Sequence, residues 1–172
     1  MKKTILTTLS LLFIIGSLFS QELRHSKGNK ALDFTVHKVK PGLAYSFGYT
    51  HFLKDNLLFK AKVNYENGSI DDLSTTIWQF MPTAAYSLAV LPPVLYVSAE
   101  AGAVIGTEKY SNENFLKKEN NIIYGGVYGI ETEIYINNNI AFLINTQQIY
   151  AFGTTLSPHR WQIGGGIRLV IQ

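Results

Sequence analysis

Apolar and polar residues alternate with a period of two over segments of about ten residues, and this pattern most constrains how the chain can fold. It is clearest at the C-terminus, where every second residue over 161–171 is apolar or glycine. The residues between them include Gln162 and Arg168. Successive side chains of a strand point to opposite faces. The segment therefore predicts a strand with one apolar face and one polar face.

The same alternation recurs along the chain and predicts an all-β fold. The predicted strands are 31–39, 42–53, 57–66, 76–89, 93–107, 122–136, 139–151 and 159–172. Short polar turns at 54–56 and 137–139 contrast with longer, charged connections at 66–75 and 107–121. Short turns at one rim and longer loops at the other are typical of bacterial transmembrane barrels. We therefore expect a small antiparallel transmembrane β-barrel of about eight strands.

Two long uncharged stretches could instead suggest membrane-spanning helices. Residues 73–99 contain Pro82 and the pair Pro92-Pro93, which would break a helix. Residues 134–158 contain six Asn and Gln side chains, which a helix buried in lipid would not tolerate. Both stretches favour strands.

The composition excludes several classes of protein. Hydrophobic residues make up 47% of the chain and charged residues 16%, which is unlike a disordered protein. The absence of cysteine excludes a disulfide scaffold, a zinc ribbon and a cysteine nucleophile. The net charge is only +3, and two of the lysines lie at positions 2 and 3. Nucleic acid is therefore not an expected partner.

The N-terminus has the pattern of an export signal. Lys2 and Lys3 precede an uncharged apolar stretch over 5–19, and Ser20 lies at the expected cleavage edge. We predict a cleaved signal peptide over 1–20 and one β-barrel domain over 21–172, located in the outer membrane and in contact with its lipid. The alternative is an uncleaved N-terminal anchor helix.

Residue patterns that would indicate catalysis are weak. The four histidines are isolated, lack metal-like spacing and are expected at surface or interfacial positions. Residues 164–166 are glycines within a predicted strand, which favours close strand packing over a phosphate loop. Glu131 and Glu133 could form a carboxylate pair, but no catalytic partners can be placed. We expect no enzyme activity, no cofactor and no metal.

Charged residues on the polar faces predict a network inside the barrel. Its expected members are Asp33, Lys60, Lys62, Glu100, Glu131, Glu133 and Arg168. An eight-stranded barrel has an interior just wide enough for side chains, and charges enclosed there need partners. A filled lumen is therefore favoured over a conducting pore.

The connection over 107–121 combines charged residues with three large apolar or aromatic ones. Tyr110, Phe115 and Leu116 are candidates for contact with a partner protein. The alternative is an ordinary solvated surface.

Several glycine and aromatic patterns resemble the conjugative-transposon TraO family. They lie at residues 123–126, 131–139, 143–145, 153–155 and 164–167, with weaker similarity at 45–48 and 79–80. The resemblance implies an outer-membrane-type component of a conjugation apparatus with no assigned reaction. Its partners would be other proteins of that apparatus, and its oligomeric state is not implied. The residues alone leave open a small general outer-membrane channel or a soluble periplasmic binding barrel.

Overall fold

A computed structural model describes residues 25–40, 42–70, 73–91, 94–112 and 117–171. The strands are β1 (Lys30–Val39), β2 (Gly42–Lys54), β3 (Leu57–Ile70), β4 (Leu73–Leu91), β5 (Leu95–Asn112), β6 (Lys117–Tyr135), β7 (Ile140–Phe152) and β8 (His159–Ile171). The predicted signal peptide over 1–20 lies outside the described residues. In the described part of the chain, no helix is long and apolar enough to cross a membrane.

The strands form one closed antiparallel barrel, as predicted. Each strand pairs with the next in sequence, and β1 also pairs with β8 to complete the circle. The connections β1–β2, β3–β4, β5–β6 and β7–β8 lie at one end, here called the loop rim. The other three connections lie at the opposite end, the turn rim, where β1 begins and β8 ends.

The predicted connections over 66–75 and 107–121 are wrong in extent, because strand pairing continues through most of both. The β3–β4 ladder reaches the pair Ile70–Leu73, and the β5–β6 ladder reaches Asn112–Lys117. Much of both segments is polar or charged, and strands near a barrel rim can keep their backbone hydrogen bonds without an apolar face. The alternation that reveals a strand in sequence is therefore weak there.

The wall of the barrel is uneven at the loop rim. Toward the loop rim, the pairing of β6 with β7 ends at Tyr124, opposite Phe152. The pairing of β6 with β5 continues for seven more residues, from Ile123 to Lys117. The strands β3 to β6 consequently project beyond β1, β7 and β8.

The two faces of the wall have opposite chemistry. Large apolar side chains point outward and are exposed, including Phe47 (56% exposed) and Ile144 (57%). Polar and charged side chains point inward and are buried, including Lys60 and Arg168. The arrangement is the reverse of a soluble barrel, which would bury its apolar face.

Glycines allow β8 to approach β1 closely. A Cβ atom added at Gly166 would overlap the carbonyl oxygen of Phe34, and one added at Gly164 would overlap that of Val36. The interpretation of residues 164–166 as a site of close strand packing agrees with this geometry.

Candidate functional site

The lumen contains the side chain of Arg168, which extends from β8 between carboxylates of two other strands. Its Nε and Nη2 atoms donate to Asp33 of β1 at 2.6 and 2.7 Å. Nη2 also donates to Glu131 of β6 at 3.1 Å, and Nη1 lies 2.6 Å from Glu133. The guanidinium is fully buried, so its charge is balanced by these groups and not by water.

Two lysines of β3 extend the network. Lys60 donates to Glu131 and, at 3.2 Å, to Glu100 of β5. Lys62 donates to Glu100 at 2.7 Å and to the side-chain oxygen of Gln147 at 3.1 Å. The structure thus brings together all seven charged residues that the sequence placed in the lumen, and each is at most 6% exposed.

Toward the turn rim, His25 closes the interior. Its ring stacks on Tyr96 with 3.8 Å between centroids, and its Nε2 lies 3.0 Å from Glu133. Around it lies an apolar cluster of Ala31, Phe52, Leu58, Ala85, Tyr96, Tyr135, Ala141 and Val170. Ionic groups in the middle of the barrel are thereby separated from the turn rim by packed aromatic and aliphatic side chains.

The expectation of surface positions for all histidines is wrong for His25 (0% exposed) and His37 (2%). His37 occupies an inward position of β1, and its Nε2 lies 2.7 Å from the side-chain oxygen of Asn145. His25 precedes β1 and therefore shows no alternation that could have revealed it. It is positioned by a turn at Gly28, which has a positive φ and donates its N–H to the Phe52 carbonyl.

A second polar layer lies nearer the loop rim. Glu66 accepts hydrogen bonds from Gln162 at 2.6 Å and from Arg160 at 3.2 Å. The sequence predicts Glu66 at the end of the polar face of strand 57–66, but its partners lie on β8, and the predicted network does not include this layer. Closer to the loop rim, Glu108 of β5 accepts hydrogen bonds from the side-chain hydroxyl of Thr154 and from the backbone N–H of Thr155. These bonds hold the β7–β8 connection against β5.

This arrangement pairs the buried carboxylates with buried cations. Glu131 and Glu133, considered as a carboxylate pair, are engaged by Lys60 and Arg168. Among the residues that the structure describes, no group of three or more acidic or histidine side chains could hold a metal ion. Of the predicted contact residues, Tyr110 lies in β5, and Phe115 and Leu116 lie outside the described residues.

A closed eight-stranded barrel with an apolar exterior and a polar interior defines the class of outer-membrane-type β-barrels. The N-terminal β-barrel domain of OprF from Pseudomonas aeruginosa is similar, with a TM-score of 0.66 and 13% identity over 84% of this chain and 98% of that one. Ail of Yersinia pestis has a TM-score of 0.52 and 12% identity over 83% of this chain and 99% of Ail. Neisserial surface protein A has a TM-score of 0.52 and 11% identity over 82% of this chain and 94% of that one. At such identities the likeness concerns the fold.

The family follows from the sequence itself. The family model of the conjugative transposon protein TraO matches residues 27–171, and the chain belongs to this family. The resemblance noted from the sequence is thereby confirmed. No curated protein matches the chain.

Because the lumen groups are paired with one another, we expect the purified protein to show no steady conductance in planar lipid bilayers. Ions would have to displace buried salt bridges and the cluster around His25. A general porin reconstituted in parallel would show that open channels are detectable. Large, stable conductance steps from this protein would contradict the interpretation of a filled lumen.

Proposed function

We propose that the protein spans the outer membrane as a closed barrel and serves a conjugative transposon as a structural or interaction component of its mating apparatus, without catalysing a reaction. The observation that carries the proposal is an ionic, filled lumen enclosed by an apolar exterior, in a chain of the TraO family. A filled barrel can anchor loops at a membrane surface, whereas transport would need an open interior.

The exterior supports a position in lipid. Exposed apolar side chains surround the barrel, and rings such as Trp78, Tyr86 and Trp161 add interfacial aromatics. A soluble periplasmic barrel would expose the same residues to water at a large cost in free energy. The fold therefore favours the membrane over the soluble alternative.

The interior argues against the channel alternative. The salt bridges of Arg168, Lys60 and Lys62 cross the lumen between β1, β3, β5, β6 and β8. Opening a path would separate several buried charges from their partners, which costs several kcal/mol for each. We infer that transfer of DNA or solutes does not proceed through this barrel.

A deletion in the donor strain tests the function. Loss of the gene is expected to reduce transfer of the element strongly, and the wild-type gene in trans should restore it. In fractionation, the protein should remain in the outer-membrane pellet after carbonate extraction. Unchanged transfer from the deletion strain would refute the role in conjugation, and extraction by carbonate would refute the membrane location.

The topology is testable by cysteine labelling of intact cells. With the N-terminus in the periplasm, the loop rim faces outward, so a cysteine at Asn112 should react with an impermeant maleimide. A cysteine at Asn138, in the β6–β7 turn, should react only after the outer membrane is permeabilised. The inverse labelling pattern would reverse the orientation.

The role of the β5–β6 connection is tested by replacing Tyr110, Phe115 and Leu116 together with serine. If these side chains contact another component of the apparatus, transfer should fall while the barrel assembles normally. Ser74 and Thr76 of β4, replaced together with alanine, provide a control at the same rim. Normal transfer by the triple variant would mean that these side chains belong to an ordinary solvated surface.

A further inference from the structure

A groove lies on the outer wall of the barrel near the loop rim, where β7, β8 and β1 adjoin. It has a volume of about 370 Å³ and is lined by Lys38, Val39, Lys40, Thr146, Trp161, Gln162 and Ile163. Lys38 and Thr146 both pair with Ile163, from opposite sides of β8. The groove is therefore built across three adjacent strands.

Its walls combine exposed apolar surface with two positive charges. Trp161 and Ile163 are 62% and 63% exposed and give the groove an apolar floor. Lys38 and Lys40 are exposed at its edge. Within the described ranges, neither lysine forms a salt bridge with a protein carboxylate. An apolar floor beside two ammonium groups suits an amphiphile that has both acyl chains and an anionic head.

The neighbouring outward surface is unusually polar for a wall that faces lipid. On β6 and β7, the Tyr128 hydroxyl donates to the side-chain oxygen of Gln148. The side-chain nitrogen of Gln148 lies 3.3 Å from Nδ1 of His159 on β8. This polar strip adjoins the groove because Gln148 pairs with Trp161. Hydrogen-bonding groups at this height fit a sugar headgroup better than hydrocarbon.

The geometry points to a binding site for a phosphorylated glycolipid of the outer leaflet, of the lipid A type. Lys38 and Lys40 bind its phosphate, Trp161 and Ile163 contact its acyl chains, and the strip of Gln148 and His159 faces its sugars. The inference rests on the proposed function, since only an outward loop rim places the groove in the outer leaflet. The two lysines complement an anionic headgroup, and the apolar floor beside them complements acyl chains. The groove therefore favours a lipid over a protein partner.

The test measures lipid retained by the purified full-length protein, using native mass spectrometry. The probes are bisphosphorylated lipid A and the same lipid after removal of its phosphates. The double variant Lys38→Gln, Lys40→Gln is compared with Lys30→Gln, Lys54→Gln, which removes the same charge at the turn rim. We expect the first variant to bind phosphorylated lipid A on the order of tenfold more weakly, and the second to bind like wild type.

Several outcomes would overturn the site. These are equal binding of both lipids by the wild type, equal binding by both double variants, or a selective loss in the turn-rim variant. A dimer that the loop-rim lysine substitutions abolish would instead make the groove a contact between copies. If the protein resists carbonate extraction but fails this test, the lipid site is refuted and the proposed membrane function is not. The two proposals can therefore be tested separately.

Discussion

Replacing Arg168 with leucine is expected to destabilise the barrel by about 3–5 kcal/mol, because Asp33, Glu131 and Glu133 would remain buried without their main cation. The measurement is equilibrium unfolding by urea in detergent micelles or lipid vesicles, followed by tryptophan fluorescence. Loss of the compact band in unheated electrophoresis would report the same effect.

Two further variants make this result specific. Arg168→Lys keeps the charge but lacks the planar fork that places two N–H groups on Asp33, so its loss of stability should be intermediate. Adding Asp33→Asn to Arg168→Leu removes one stranded charge and should recover part of the stability. A leucine variant as stable as the wild type would mean that water reaches Arg168 and that the lumen is not sealed.

Replacing Phe47 with arginine is expected to cost about 2–4 kcal/mol, the range for a cation placed near the middle of the lipid-facing wall. Phe47 points outward from the middle of β2. In a soluble barrel, an exposed phenylalanine could be replaced by arginine with little loss of stability. The substitution therefore distinguishes a wall in lipid from a wall in water, with unfolding measured in phospholipid vesicles.

The control is Ile122→Arg, which introduces the same side chain on an outward face beyond the last β6–β7 pair. Ile122 is 70% exposed and lies on the projecting hairpin, where the cost should fall to about 0–1 kcal/mol. Equal stability of the Phe47 and Ile122 variants would refute a lipid-facing belt at the height of Phe47.

The sequence could predict those parts of the molecule in which buried inward residues alternate with exposed outward ones. Lys60 and Lys62 are two apart on β3, and Glu131 and Glu133 are two apart on β6, so one face of each strand carries charge. In a narrow closed barrel, such faces have nowhere to point except toward one another. This constraint, together with the strand count, predicts from the sequence that these charged residues face one another inside the barrel.

Other parts depend on contacts that no local pattern encodes. His25 lies outside every strand, and its burial depends on Tyr96, Phe52 and Tyr135 from three separate strands. Glu66 and Arg160 lie at the loop-rim ends of two predicted strands and are 94 positions apart, so nothing local in the sequence indicates that they pair. The loop-rim segments of β3 to β6 are rich in polar and charged residues, so their extent follows from backbone pairing and not from apolar alternation.

The bond between Asp33 and Arg168 has a consequence for how the barrel closes. These residues face each other across the seam where the first strand meets the last, and they are 135 positions apart in the chain. A slip of β8 by two residues would place Arg168 opposite Ala31 or Thr35, and a slip by one would turn its charge toward lipid. Only the observed alignment of the two chain ends brings the guanidinium to Asp33, so a misaligned closure would lose this buried salt bridge.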